Sequence, residues 1–343
     1  NGTLSNSAAL TVSTALAGSS TLTNAANATL NIGGSSGINA LTASANPNTV
    51  NYTSGSAQTV FPTTYHHLTL SGTTTAKTLT GVSTINGDLT LTGSPTATTA
   101  AAMTIGGNLV VGTGGALTVA GFDFTVTGTT SVTGTLDHSS TTGTKTFTGL
   151  VTINSGGVWT NSGNEAVTFR GGLTHNGTTF TSGTGVHTFD TNAQAVGGTT
   201  ALVIASATVT GVTLTNNSAN FTVSTALSGT GGLTQGTGAT LKLGGTSAIT
   251  TLTATASPNT VEYNGGAAQT VKAVTYNGLK INNASGATLA GNTTVDGTLT
   301  LTSGTITTGA SSVIISTTGS VSRTSGHVVG NLQKNVATGT NVA

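Results

Sequence analysis

Side chains that could carry acid–base chemistry are few in this chain and far apart in sequence. The 343 residues include seven carboxylates, and the two closest, Asp123 and Asp137, are 14 positions apart. Enzymes that cleave polysaccharides need two or three carboxylates that converge on one groove. We therefore predict no catalytic residue, and a polysaccharide-acting β-helix enzyme stays an alternative. The seven acids, expected at turns, are Asp88, Asp123, Asp137, Glu165, Asp190, Glu262 and Asp296.

Histidine offers one local cluster, the adjacent pair His66–His67. A similar segment later in the chain carries Asn277–Gly278 at these positions, so the structure tolerates losing both rings. A second pair, Asp137–His138, has no third ligand within reach by sequence, whereas a zinc site needs three or four protein ligands. Residues 33–37 match G-x-S-x-G, which marks a nucleophile only between a strand and a helix. We predict neither a metal nor another cofactor.

Composition excludes several classes of protein. Charged residues make up 4% of the chain, against about a quarter in an ordinary domain. Thr accounts for 82 residues and Gly for 50, both poor helix formers. The absence of Cys excludes a disulfide scaffold, and a net charge of +1 gives no basic surface for nucleic acid. No run approaches the roughly 18 apolar residues of a membrane helix, so we predict no membrane insertion.

The chain contains a long internal repeat. Residues 8–93 match 219–303, and residue 8 pairs with residue 219, a shift of 211 positions. A shorter motif (Thr or Ser, an apolar residue, any residue, Gly, any residue, Leu) recurs with a spacing near 20. Because apolar residues alternate with Thr, they indicate strands with one buried face. The predicted inward-facing core ladder is Leu89, Leu109, Leu136, Leu173, Leu299, Ile85 and Ile105.

These patterns predict an all-β fold, a parallel β-helix (β-solenoid) with irregular coils of about 20 residues. We expect one continuous solenoid over residues 1–343, with Gly and Asn-Gly supplying positive φ at the corners. The rival interpretation is an array of hairpins or a β-sandwich. The scarcity of charged residues agrees with stacked turns, since identical charges on successive turns about 4.8 Å apart would repel each other.

Residues 258–304, their copy at 47–93, and residues 319–342 resemble the repeats of large bacterial secreted surface proteins. These are haemagglutinin- and autotransporter-like β-helix adhesins and related Bacteroidetes-type repeat proteins. The resemblance implies an extracellular or cell-surface setting and a structural or adhesive role. The chain departs from typical adhesins because it has no distinct globular tip domain.

We expect an extracellular structural protein that forms a fibre by head-to-tail association with further copies of itself. The reason is that residues 1–12 already look like strand and turn, and 326–343 are nearly uncharged, so neither end carries a cap. The chain also looks like a mature or excised piece of something longer, and a stalk segment of a giant adhesin is the alternative. Surface glycans or other cells are further candidate partners, and an ice-binding protein with Thr-x-Thr ladders is another alternative.

Four tyrosines recur in the repeat and leave two interpretations open. They could form platforms on the surface that stack against carbohydrate, or they could pack in the core or at corners of the repeated unit. The four are Tyr52, Tyr65, Tyr263 and Tyr276.

Overall fold

The computed structural model describes residues 2–337, and these form strands, turns and corners without any helix. Their contacts make two compact units, unit 1 up to Gly185 and unit 2 from Val186. Parallel strands return about every 20 residues, about 17 turns in all, which confirms the predicted parallel β-solenoid. A single continuous solenoid over 1–343 stays a prediction. Residue 1 and residues 338–343, the end of the segment that carries part of the resemblance, lie outside the described residues.

Unit 1 has three rows of parallel strands. Row A consists of β2 (Ala9–Val12), β4 (Thr29–Ile32), β6 (Thr49–Tyr52), β8 (His67–Gly72), β11 (Leu89–Gly93), β14 (Leu109–Val111), β17 (Thr130–Val132), β20 (Val151–Ile153) and β23 (Leu173–His175). Row B consists of β10 (Thr84–Ile85), β13 (Met103–Ile105), β16 (Phe124–Val126), β19 (Lys145–Phe147) and β22 (Val167–Phe169). Row C consists of β7 (Gln58–Thr59), β9 (Ala76–Thr78), β12 (Thr96–Thr98), β15 (Ala116–Val119), β18 (Thr135–His138), β21 (Val158–Thr160) and β24 (Thr179–Thr181). A separate sheet holds β1 (Thr3–Asn6), β3 (Ala15–Asn24) and β5 (Ser35–Thr42).

Unit 2 stacks its strands in parallel in the same way, but several of its strands are longer. The longest, β29, runs for 15 residues and pairs with four other strands. The strands are β25 (Val186–Phe189), β26 (Gln194–Gly197), β27 (Leu202–Val209), β28 (Thr213–Asn216), β29 (Phe221–Gln235), β30 (Thr240–Leu243), β31 (Thr246–Thr253), β32 (Thr260–Tyr263), β33 (Gln269–Val271), β34 (Thr275–Tyr276), β35 (Gly278–Asn282), β36 (Ala287–Leu289), β37 (Thr293–Val295), β38 (Thr298–Ser303), β39 (Thr305–Ile315), β40 (Ser320–Arg323) and β41 (His327–Lys334).

Each row lines the interior with a ladder of apolar side chains. In row A, Val50, Leu68, Leu89 and Leu109 follow one another in register and are all fully buried. The alternation of apolar residues with Thr places one side of each strand inside. Burying such a side chain stabilises the fold by about 1.5–3 kcal/mol, so the ladders supply most of the driving force for folding.

All seven predicted core residues are buried, but they do not form one ladder. Thr130 and Val151 separate Leu109 from Leu173 in row A. Leu136 lies in row C, in register with Leu117 and Trp159. The reason is that the motif marks a corner and the strand after it. At 131–136 that corner joins row A to row C, whereas at 84–89, 104–109 and 168–173 it joins row B to row A. The remaining placements are Ile85 and Ile105 in row B and Leu299 in β38.

The motif glycines are needed for close stacking, which corrects the prediction of positive φ at Asn-Gly corners. None of the described Asn-Gly glycines has a positive φ. A Cβ at Gly297 would lie 2.7 Å from the carbonyl oxygen of Asn277 on the preceding turn. At Gly87 a Cβ would lie 2.7 Å from Nδ1 of His67. Positive φ occurs at other corners, such as Gly93 with φ 81°.

We predict that Leu109→Asp unfolds unit 1 or destabilises it by more than about 4 kcal/mol, because the change places an unpaired charge in a dry ladder. Val110→Asp is the matched control, since its side chain is the next one on the same strand and is partly exposed. The control should cost about 1 kcal/mol or less. Urea unfolding followed by circular dichroism measures both, and equal losses would contradict the assignment of faces.

Candidate functional site

Two carboxylates on the outside of unit 1 are tied to the neighbouring turn. Oδ1 of Asp88 accepts a hydrogen bond from the backbone N–H of Asn108 at 2.7 Å. Asp123 accepts one from the N–H of Thr144 at 2.7 Å, and this bond lowers the pKa of the Asp123 carboxyl. These residues therefore hold successive turns together. Within residues 2–337, no group of three or more His, Asp or Glu side chains could hold a metal ion.

The predicted histidine pair forms a small polar cluster with one acid. The rings of His66 and His67 meet edge to face with centroids 4.2 Å apart, and His67 Nδ1 lies 3.3 Å from Oδ2 of Asp88. The same Nδ1 accepts the backbone N–H of Asp88 at 3.0 Å. Burial, assisted by the neighbouring His67, lowers the pKa of His66. The cluster joins two turns of unit 1, and its three side chains do not form one of the metal-binding groups sought among the described residues.

A buried ion pair lies inside unit 1, where sequence reasoning had placed only a turn acid. Nζ of Lys145 is 2.8 Å from Oε1 of Glu165, and neither side chain is exposed. Lys145 occupies the inner position of row B between Phe124 and Val167, and its ammonium also donates to the carbonyl of Phe122 at 2.6 Å. Burial is the main effect that raises the pKa of Glu165, and Lys145 opposes it. The signal that could have revealed this inward lysine is the alignment of residues 145–147 with the neighbouring strands of row B. In that alignment Lys145 takes the position of the inward residues Phe124 and Val167.

The tyrosines are in the core, which overturns the surface-platform interpretation. Tyr52, Tyr65, Tyr263 and Tyr276 are each at most 1% exposed. In unit 1 the hydroxyls of Tyr52 and Tyr65 are 3.0 Å apart, and in unit 2 those of Tyr263 and Tyr276 are also 3.0 Å apart. Burial raises the pKa of each of the four hydroxyls. The pairs join one row to the next inside each unit and offer no ring to a carbohydrate.

Trp159 anchors an aromatic cluster in the interior of unit 1. Its ring centroid lies 4.6 Å from that of His138 and 5.7 Å from that of Phe180. His175, buried at the inner end of row A, lies 5.6 Å from Phe180. Burial lowers the pKa of His175. The cluster packs Trp159, His138 and His175 in the interior, with Phe180 partly exposed at its edge.

A threonine ladder runs along the outside of unit 1, and over most of its length it is only one residue wide. Row B stacks five threonines in register: Thr84, Thr104, Thr125, Thr146 and Thr168. The Thr-x-Thr pairs that an ice-binding surface needs do not form a long ladder. In row B, Thr125 and Thr127 are followed by Thr146 and Thr148, but the next turn carries Thr168 and Arg170. In row A, for example, Thr90 is followed by Val110.

The terminal strands expose apolar side chains beside an unpaired backbone edge. Among the described strands, β41 pairs with β39 alone, and Val329 and Leu332 on it are 47% and 48% exposed. At the other end β1 pairs with β3 alone, and Leu4 is 59% exposed. Each of these two edges offers a surface for another strand.

Comparison with known proteins found no matching family model, no similar curated protein and no similar solved structure. A search of the described residues for a helix long and apolar enough to cross a membrane found none.

We predict that Lys145→Met destabilises unit 1 by about 3–5 kcal/mol, because it leaves the Glu165 carboxylate buried without its partner. The double variant Lys145→Met/Glu165→Leu should lose less than the sum of the two single changes, since no unpaired charge remains. Denaturant unfolding of the four proteins gives the coupling free energy. Strictly additive losses would contradict a direct buried ion pair.

The control for this cycle is the more exposed ion pair of unit 2, in which Lys280 Nζ lies 3.2 Å from Glu262 Oε1. One third of the Lys280 side chain is exposed. We expect Glu262→Gln to cost about 1 kcal/mol or less, because water can solvate the Lys280 ammonium that is left.

We predict that acid destabilises unit 1 through His175. Burial lowers its folded-state pKa below the ordinary value of 6.5, so the unfolded chain binds more protons once the pH falls below about 6.5. The stability is therefore fully present above pH 6.5 and is lost as the pH falls toward the folded-state pKa. His175→Phe should flatten this part of the profile. Thermal unfolding midpoints measured from pH 8 to pH 5 test it, and identical profiles for the two proteins would refute it.

Proposed function

We propose that this protein is a structural element of an extracellular surface fibre, in which copies associate end to end through the terminal turns of their solenoids. One observation carries the proposal: the outer edge of β41 is unpaired within the described residues, and exposed Val329 and Leu332 accompany it. An unpaired edge of this kind is a template for another strand. Burying the two side chains against a second solenoid would add a hydrophobic contribution.

β1 and β41 each belong to a parallel pair, and they are different strands. The contact between two copies therefore joins two different surfaces. A copy would place its β1 edge, with Leu4, on the β41 edge of the next copy. A contact between unlike surfaces that does not close on itself makes a filament. The net charge of +1 gives little repulsion between copies. The extracellular setting rests on the resemblance to secreted surface proteins, and adhesion to glycans or other cells stays a prediction.

The interior supports a structural role. Several of its polar side chains are engaged with one another, as Lys145 is with Glu165 and Tyr52 with Tyr65. The outer carboxylates of unit 1, such as Asp88 and Asp123, bind the next turn. These side chains thus stabilise the stack of turns, which is what a structural fibre requires.

We predict that the chain forms filaments visible by negative-stain electron microscopy, and that Leu4→Lys and Leu332→Lys each abolish them. Each change places a charge in one of the two contact surfaces, which should raise the concentration needed for association at least tenfold. Leu150→Lys is the control, because Leu150 is 40% exposed and belongs to neither terminal strand.

An equimolar mixture of the two variants gives the sharpest measurement. Each variant keeps one intact surface, and the two intact surfaces are complementary, so the mixture should stop at a heterodimer in sedimentation velocity. A monodisperse wild-type monomer at high concentration would contradict end-to-end association. It would favour the alternative, in which flanking turns of a longer adhesin stalk occupy both edges.

A further inference from the structure

A strand row is interrupted at the same place in both copies of the internal repeat. In unit 1, β5 pairs with β3 on one edge. The strand on the following turn is β7, the first strand of row C, and it begins a separate ladder with β9. In unit 2, β31 pairs with β29, and β33 begins a separate ladder with β36. The second break lies 211 positions after the first in the repeat. Both breaks leave one edge of a strand without a strand partner.

A glutamine side chain occupies the beginning of each open edge. Nε2 of Gln58 donates to the carbonyls of Ile32 at 2.8 Å and Gly34 at 2.7 Å. In unit 2 the amide of Gln269 does the same for Leu243 at 2.7 Å and Gly245 at 2.8 Å. In a parallel ladder, alternate residues direct their N–H and C=O groups to the same edge.

The next residues on the open edge of unit 1 are therefore Ser36 and Ile38, since they continue the alternation from Ile32 and Gly34. Their N–H and C=O groups point toward the break, because β5 uses its other edge for β3. No described strand pairs with them there.

The two units differ at the far end of the break. In unit 2, Nζ of Lys272 donates to the carbonyl of Ile249 at 2.8 Å and so caps the edge. Residue 61, 211 positions earlier, is Phe. The backbone is held alike in both copies, because the N–H of Phe61 donates to the Tyr52 hydroxyl at 2.9 Å and that of Lys272 to Tyr263 at 3.1 Å. The edge of unit 1 thus lacks the cap that unit 2 carries.

The break in unit 1 opens a cleft of about 490 Å³, against about 230 Å³ for its counterpart in unit 2. The lining includes Gly34, Ser36, Ala57 and Gln58 and has no charged or aromatic side chain. An ionic ligand would find no opposite charge, and a sugar ring would find no aromatic face. An extended backbone would find donors and acceptors at strand spacing.

We propose that this cleft binds an extended, uncharged peptide segment of small residues, which adds to β5 as a further strand along Ser36–Ile38. Main-chain hydrogen bonds to Ser36 and Ile38 would supply the affinity, as in other cases of strand addition. The narrow, glycine- and serine-lined cleft would select small side chains. This binding is independent of the association through the terminal turns.

The test uses the full chain labelled with ¹⁵N and a hexapeptide blocked at both ends that copies residues 15–20, the segment that pairs with the other edge of β5. We expect the amide signals of Ser36 and Ile38 to shift on titration, while that of Ser247 does not. The same peptide methylated on alternate backbone nitrogens is the control, and it should bind at least tenfold more weakly. Maltose and diacetylchitobiose test for a carbohydrate ligand.

Exchange of the capping residue between the two units gives a matched pair of variants. Phe61→Lys should cap Ile38 and weaken binding in unit 1 at least tenfold, and Lys272→Ala should create shifts at Ser247 and Ile249. A gain of binding in unit 2 cannot result from misfolding. The Lys272→Ala variant therefore still tests the proposal if the Phe61→Lys variant fails to fold. The proposal is overturned if no peptide-induced shifts occur, if the methylated peptide binds equally well, or if the sugars bind and the peptide does not.

Discussion

Register between parallel turns is the constraint on which this molecule depends. Successive turns lie about 4.8 Å apart, so each inner side chain contacts its counterparts directly above and below. A residue that fits at one turn must therefore fit against the same position on two others. The run from Val50 through Leu68 and Leu89 to Leu109 meets this condition with side chains of similar size. The near absence of charge follows from the same condition, because a buried ion needs its partner within one interval. Lys145 in row B and Glu165, at the corner that precedes the row B strand of the next turn, satisfy it.

Corners obey the same spacing by a different means. The chain must turn where the backbone of the preceding turn already lies close, and a side chain there would collide with it. Gly297 shows the effect, since a Cβ would meet the Asn277 carbonyl at 2.7 Å. Glycine at these positions is selected for lack of volume, and glycine with positive φ occurs elsewhere in the turn. Outer polar residues such as Asp123 then fasten one corner to the next through backbone N–H groups.

The fold could be predicted from the sequence because its signals are local and repeated. The alternation of Thr with apolar residues is a property of each single turn. Because the turns stack, this pattern recurs along the sequence with a spacing near 20 residues. Assignment of residues to rows was less accessible. The motif ending at Leu136 has the same letters as the motif ending at Leu109, yet it turns a different corner, because insertions change which strand follows. Lys145 was missed for a related reason, and the four tyrosines were left with two interpretations. Such side chains also occur on surfaces, and only their register with neighbouring turns reveals that they are buried.

The internal repeat separates what the fold requires from what it tolerates. Both copies keep the glutamine that ends a strand row, and in both the oxygen of that glutamine accepts a buried donor. In unit 1 the donor is the ammonium of Lys77, at 2.9 Å from Gln58 Oε1, and in unit 2 it is the amide of Asn283, at 2.9 Å from Gln269 Oε1. A charged and a neutral group thus fill one role, because the requirement is a hydrogen bond to a buried oxygen. Burial lowers the pKa of Lys77 because it disfavours the charged ammonium, a cost that the equally buried but neutral Asn283 amide does not have. The interior of this solenoid therefore specifies where each hydrogen-bond donor and acceptor must lie. The charge of the donor can vary wherever the neighbouring turns leave room for a different side chain.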